Sequence, residues 1–231
     1  MSQTIPGGFL IAIEGIDGTG KSLQAHEVGR VLRERGLDCI LTHEPTNGPW
    51  GRKLRESALN GRLSPEEELR AFIEDRKQHV AEVIRPALSA GRIVITDRYY
   101  FSTVAYQGAR GFDPNDLLKQ NEAIAIEPNL LIIIDLDPQT ALARVGNRDG
   151  RTNVFETITQ QSKSRDIFLA IRKPYLVRLD GNALPRELRD QILVAFSRFA
   201  VERIAALPGL TPRQRLNAIL TIHGAKPLEE Q

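Results

Sequence analysis

Phe9-Leu10-Ile11-Ala12-Ile13-Glu14-Gly15-Ile16-Asp17-Gly18-Thr19-Gly20-Lys21-Ser22 is the stretch that decides the fold. Its apolar start reads as a buried strand, and the segment from Leu23 to Arg35 behind it reads as a helix. Between them lies a complete G-x-x-x-x-G-K-[S/T] pattern, from Gly15 to Ser22. Such a loop lets the backbone curl around phosphate oxygens and aims the open N–H groups and positive dipole of a helix N-terminus at them. A nucleoside triphosphate is expected here, its phosphates surrounded by Gly15, Ile16, Asp17, Gly18, Thr19, Gly20, Lys21, Ser22 and Leu23. Lys21 is expected against the β and γ phosphates, and the Ser22 hydroxyl on Mg²⁺.

Working outward, apolar runs at Cys39 to Leu41, Ile93 to Thr96 and Leu130 to Ile134 alternate with helical segments, so a doubly wound parallel sheet is expected. Helices are expected over 22–35, 51–60, 65–90, 114–125, 138–145, 156–179 and 185–206. Asp113-Pro114 and Asp137-Pro138 read as N-cap plus first helical residue. A fifth strand is needed within 170–184, where no Val/Ile run marks it. The chain divides into an α/β domain over 1–207 and an appended surface helix and tail over 208–231.

Composition narrows the class. The 231 residues suit one α/β domain with a substantial core. Lys+Arg 31 against Asp+Glu 29 gives no global charge pointing to nucleic acid or a membrane surface, so local basic clusters must carry any anion binding. The single Cys39 excludes an intrachain disulfide and fits a reducing compartment, and the chain shows neither a signal peptide nor a long apolar span. A cytoplasmic protein is expected.

Three constellations bear on what receives the phosphate. The strand ending at Thr96 runs into Asp97-Arg98-Tyr99, with Ser102, Tyr106 and Gln107 beyond. A carboxylate at the carboxyl end of a parallel strand lies beside the phosphate loop, so Asp97 can hold Mg²⁺ and Arg98 can clamp an acceptor phosphate; the bland alternative is a helix-start ion pair. Phe72 and Arg76 stand four apart on one helix and share a face, offering a ring to stack a base and a planar donor to read its edge. Taken alone, they also fit a core Phe beside a surface Arg. Arg144, Arg148, Asp149 and Arg151 form a short basic segment, either a solvated turn or a lid whose arginines neutralise the transferred phosphoryl group.

These residues together resemble the thymidylate kinase family from about residue 8 to about residue 200, in four ordered motifs: Glu14 to Gln24, Glu44-Pro45-Thr46 with Gly48-Pro49-Trp50-Gly51, Phe72-Ile73-Glu74-Asp75-Arg76, and Asp97-Arg98-Tyr99 through Ala105-Tyr106-Gln107-Gly108. The resemblance implies a three-layer P-loop kinase fold, with a central parallel β-sheet flanked by helices and a short lid. It implies that Asp17 sits near the sugar 3′-hydroxyl and acceptor phosphate, that Phe72 stacks on thymine and that Arg76 bonds its O4. It further implies that Arg98 holds the acceptor phosphate, that Tyr106 crowds the 2′ position, and that Gln107 lies on the base side; Glu44 and Ser102 complete the acceptor set. Gly18 and Thr19 are not basic, so the catalytic arginine is expected in the lid, at Arg148 or Arg151. His43 stands where the family commonly has an Arg that helps grip the acceptor phosphate, so either Arg52 substitutes for it or the acceptor affinity is lower.

The implied reaction is transfer of the γ-phosphoryl of MgATP to dTMP, giving dTDP and ADP, with no nucleic-acid or membrane partner. A kinase for another nucleotide or a deoxynucleoside, and a non-catalytic nucleotide-binding regulatory protein, are the other readings. A homodimer is implied by resemblance. Leu69, Phe72, Val80, Val83, Ile84 and Leu88 on the 65–90 helix offer apolar surface for it, unless the core consumes them all.

Overall fold

A computed structural model describes residues 3–61, 63–145, 154–226 and 228 of the chain. Five strands, β1 (Phe9–Glu14), β2 (Cys39–His43), β3 (Ile93–Asp97), β4 (Leu130–Asp135) and β5 (Leu176–Asp180), form one sheet in the order β2-β3-β1-β4-β5. Every pairing is parallel, with Ile11 in register with both Ile95 and Leu130. β1 is central and buried along its whole length, as the apolar run Phe9 to Ile13 requires, and it ends on the buried Glu14.

Alternation along the strands divides the core. Phe9, Ile11 and Ile13 face one layer, built from α1 (Lys21–Glu34), α9 (Pro185–Ala206) and α10 (Pro212–Ile222). Leu10 and Ala12 face the other, where Val80, Ile84, Tyr100, Phe101, Ala105 and Phe168 pack. That second layer comprises α3 (Pro65–His79), a π-helical turn Val80–Ile84, α4 (Arg85–Ser89), α5 (Tyr100–Ala109) and α8 (Val154–Ala170). α2 (Pro49–Asn60), α6 (Pro114–Glu122) and α7 (Pro138–Val145) complete the chain. The three-layer parallel architecture is as expected. The expected lid lies outside the described residues, with both Arg148 and Arg151.

Several boundaries differ from the sequence reading. The segment 156–179 is not one helix: α8 ends at Ala170 and β5 begins at Leu176. As the outermost strand on its side, β5 packs Val177 and Leu179 in the first core layer and only Leu176 against the second, so it carries Arg178 and Asp180 instead of an apolar run. The helix α5 was not anticipated at all. The 65–90 helix is interrupted by its π turn. Of its six apolar residues, Leu69, Val80 and Ile84 enter core clusters and Leu88 packs against one, while Val83 stays exposed. α10 contributes Ala218 and Ile222 to the first core layer, and Arg215 donates to the Ile204, Ala205 and Leu207 carbonyls that end α9.

All five strands point their carboxyl ends at one edge, which carries Glu14, His43, Asp97, Asp135 and Asp180. β1 lies between β3 and β4, so the chain reverses its direction of winding there and leaves a crevice.

Candidate active site

The loop from β1 to α1 fits that crevice closely. A Cβ on Gly15 would meet the Ile134 carbonyl oxygen at 2.4 Å and one on Gly18 would meet that of Ala141 at 2.2 Å, and both residues have positive φ. No side chain caps α1, so its first N–H groups face the loop interior, the arrangement that binds phosphate. Lys21 is 5% exposed and its Nζ donates to the Ile16 carbonyl at 2.7 Å. Burial and the neighbouring Arg98 push its pKa down to about 7, against the opposing pull of Asp17, Asp97 and Glu14. Ser22 Oγ donates to Asp97 Oδ2, and the buried Asp97 Oδ1 has no protein partner. A hydroxyl joined to a carboxylate with a spare oxygen, beside a phosphate loop, fits a hard divalent cation. No group of three His, Cys, Asp or Glu among the described residues is placed to hold a metal, so such an ion would take its other ligands from phosphate and water.

Past β3, Arg98 takes a left-handed backbone with φ of 67°, a conformation costing a non-glycine residue about 1 kcal/mol or more. Its N–H donates to the Ile13 carbonyl at 3.0 Å and its own carbonyl accepts from Thr96 Oγ1 at 2.6 Å, which fixes the turn. The guanidinium then reaches the Asp17 carboxylate, approaches Ser102 Oγ at 3.3 Å and lies 5.3 Å from the centroid of the Tyr106 ring. Burial works to raise the Asp17 pKa, but Arg98 and Lys21 outweigh it and hold this carboxyl below its ordinary range.

Beneath this turn sits Glu14, fully buried, accepting from Tyr99 N at 2.8 Å, Ser102 N at 3.0 Å and Ser102 Oγ at 2.6 Å. It therefore caps α5 from another strand. Burial pushes Glu14 up to about 7, with Ser102 and Arg98 pulling the other way. No local sequence signal marks Glu14 for this role.

A cavity of about 730 Å³ opens from Asp17 and Arg98 towards α3 and α5. Glu44, Phe72, Arg76, Ser102, Tyr106 and Gln107 all line it, so the expected acceptor residues are brought together. Phe72 is half-buried and belongs to none of the three hydrophobic clusters, so it is not a core residue. Arg76 is 1% exposed. Its Nη1 donates to Asn121 Oδ1 and its Nη2 to Glu44 and, at 3.1 Å, to Thr103 Oγ1, while its Nε has no protein partner. Glu44 thus engages Arg76. Burial works to raise its pKa, but Arg76 and His79 hold it below the ordinary range.

Other cavity residues escaped the sequence reading. Glu68 accepts from Gln107 Nε2 at 3.1 Å and from Arg110 at 2.5 Å, and the buried Gln107 Oε1 has no protein partner. Glu68 precedes Phe72 by four residues and could have been read as part of the same helical face. Gln160 and Gln161 reach the cavity from α8. Arg52 does not line it: its guanidinium donates to the Asn47 carbonyl at 2.8 Å, and His43 Nδ1 lies 2.9 Å from the Pro45 carbonyl.

A phosphate-binding loop alone would fit many nucleotide-driven proteins, but here a cavity large enough for a base opens beside the loop, as an acceptor nucleotide would need. The protein is accordingly a P-loop phosphotransferase acting on a nucleotide-like acceptor. The family model for thymidylate kinase matches residues 13–192. A thymidylate kinase of Xylella fastidiosa (strain M23) is 47% identical over 181 residues, covering 78% of this chain and 83% of its own length. One of Akkermansia muciniphila is 43% identical over 190 residues, covering 82% and 92%. The crystal structure of thymidylate kinase from Ehrlichia chaffeensis superposes with a TM-score of 0.66 at 27% identity, over 83% of this chain and all of that one. The chain belongs to the thymidylate kinase family.

Proposed function

We propose that the protein transfers the γ-phosphoryl of ATP, as its Mg²⁺ complex, to the 5′-phosphate of dTMP, giving dTDP and ADP. The observation that carries the acceptor assignment is the cavity in which Phe72 and Arg76 stand on one helix face, opening onto Asp17 and Arg98 at the phosphate loop. Phe72 stacks on the base, Arg76 supplies a donor to its edge, and Tyr106 fills the space a 2′-hydroxyl needs. Arg98 holds the acceptor phosphate. Lys21 holds the donor phosphates, and Ser22 with Asp97 holds Mg²⁺, which neutralises charge on the transferring group when bound. The acceptor is already an ionised phosphate, so no general base is needed. The task is to bring two polyanions in line and cancel their repulsion. Arg148 or Arg151 adds the last positive charge from the lid.

We assign the enzyme to the cytoplasm, in keeping with the unbridged Cys39; no helix among the described residues is long and apolar enough to cross a membrane. We also propose a homodimer, for which the exposed Val83 on the π turn offers apolar surface. A coupled ADP-release assay with dTMP, dUMP, CMP, UMP, AMP and thymidine tests the reaction. The highest kcat/KM is expected for dTMP, and a higher value for any other acceptor overturns the assignment.

A further inference from the structure

His79 belongs to no role described so far, and its surroundings are unusual for a helix interior. Its ring is buried, with Nδ1 2.9 Å from Glu44 Oε1 and Nε2 2.7 Å from Thr42 Oγ1. It does not line the acceptor cavity. Glu44 spends its other oxygen on Arg76 Nη2. A chain of contacts therefore runs from the outer strand β2 through Thr42, His79 and Glu44 to the guanidinium at the base end of the cavity.

The helix is built around this residue. α3 ends at His79 and the five-residue π turn Val80–Ile84 follows at once. A π turn is rare, and the extra residue it inserts shifts the register of everything after it. Here His79 and Val80 are consecutive and both buried, one against Glu44 and the other in the second core layer with Ile84 and Ala87. The shift lets Arg76 and His79 face the Glu44 loop while the following residues still reach the sheet.

We propose that His79 is a positioning residue for base recognition: through Glu44 it locks the Arg76 guanidinium in the orientation that presents its spare N–H to the acceptor base. This rests on the reading of Arg76 as the base-edge donor. Glu44 is buried, so each carboxylate oxygen needs a donor to stay in place. Without the His79 N–H, Oε1 loses its partner and the carboxylate can turn away from Arg76. A hydrogen bond to a charged group is worth at least about tenfold in an equilibrium, which sets the size of the effect.

The test compares steady-state constants for dTMP and ATP in four variants. His79→Asn keeps an amide donor where Nδ1 lies, His79→Gln places its amide at the Nε2 position, His79→Leu keeps neither, and Arg76→Leu removes the base donor. Leu and Gln at position 79 are expected to raise KM for dTMP about tenfold, with kcat and KM for ATP within about twofold, and Asn is expected to restore most of the loss. In the Arg76→Leu background, His79→Leu is expected to add less than about twofold, because the residue acts only through that guanidinium. Additive effects of the two changes, equal losses for dTMP and ATP, or identical KM values for the Asn and Gln variants overturn the proposal. If His79→Leu does not fold, the Asn and Gln pair decides. Arg76→Leu with an unchanged KM for dTMP refutes the base-edge reading itself, whereas a raised KM there with no effect at His79 refutes only the role of His79.

Discussion

Lys21 is proposed to hold the donor phosphates, yet burying it works against the fold, and replacing it with Met separates the two. The ammonium is 5% exposed, one donor goes to the Ile16 carbonyl, and its pKa is pushed from 10.5 down to about 7, first by burial and then by Arg98. At about 1.4 kcal/mol per pH unit, that displacement bounds the cost of holding the charge in the folded chain at about 5 kcal/mol. Met keeps most of the apolar stem and removes the charge. Relaxation of the surroundings offsets part of such a penalty, so a gain of about 2 kcal/mol is expected, a rise in Tm of about 4–8 °C for a chain of this size. The folded pKa lies below the unfolded one. Between about pH 7 and about pH 10 the unfolded chain therefore holds a proton that the folded chain has released, so this group makes stability rise with pH across that window. The penalty is fully present below about pH 7.

Calorimetry or dye-monitored melting without nucleotide, at about pH 7 and again at about pH 9.5, checks both the size and the sign. Lys21→Met is expected to melt higher at the lower pH and close to the parent at the higher one. Phosphoryl transfer is expected to fall by about a hundredfold or more. An unchanged or lower Tm at about pH 7, or a difference that does not shrink with pH, refutes the account of Lys21 as a buried charge whose desolvation outweighs its partners. Activity within about tenfold of the parent refutes the phosphate-loop assignment.

Phe72→Ala is expected to raise KM for dTMP by about tenfold or more with little change for ATP, because the ring sits in the acceptor cavity outside every core cluster; equal losses for both substrates in steady-state assays count against base stacking. Tyr106→Ala is expected to improve the ratio of ribonucleotide to deoxyribonucleotide turnover while lowering both rates, since the same ring also supports the Arg98 guanidinium; an unchanged ratio removes Tyr106 from sugar discrimination. Light scattering at micromolar concentration is expected to give about twice the chain mass of 25.8 kDa, and a single species near the chain mass rules the homodimer out.

What the sequence made legible follows from how local each signal is. The phosphate loop is read from eight consecutive residues because phosphate binding there uses backbone N–H groups and one helix start. α5 was invisible for the opposite reason. Its first turn, Tyr100-Phe101-Ser102-Thr103, has poor helix formers, and its N-cap Tyr99 makes no side-chain cap. The cap comes instead from Glu14, which is 85 residues earlier than Tyr99 and 88 earlier than Ser102. β5 was obscured because an outer strand exposes Arg178 and Asp180 and has no need of an unbroken apolar run.

Arg76 makes the same point at the site. On helical spacing alone an arginine beside a phenylalanine reads as a surface charge, and it is buried only because Glu44, Thr103 and Asn121 converge on it from separations of 32, 27 and 45 residues. The spacing of three between Arg76 and His79 does place both on one face, and that much is visible in the sequence. The carboxylate joining them is on a different element, so the pair becomes a device only once β2 delivers Glu44 between the guanidinium and the imidazole. The phosphate loop is thus encoded by a contiguous motif, and the cavity beside it by partners that only the sheet order brings into contact. A substitution at Thr42, which lies outside the four motifs and does not line the cavity, is on this reasoning expected to raise KM for dTMP before it raises KM for ATP.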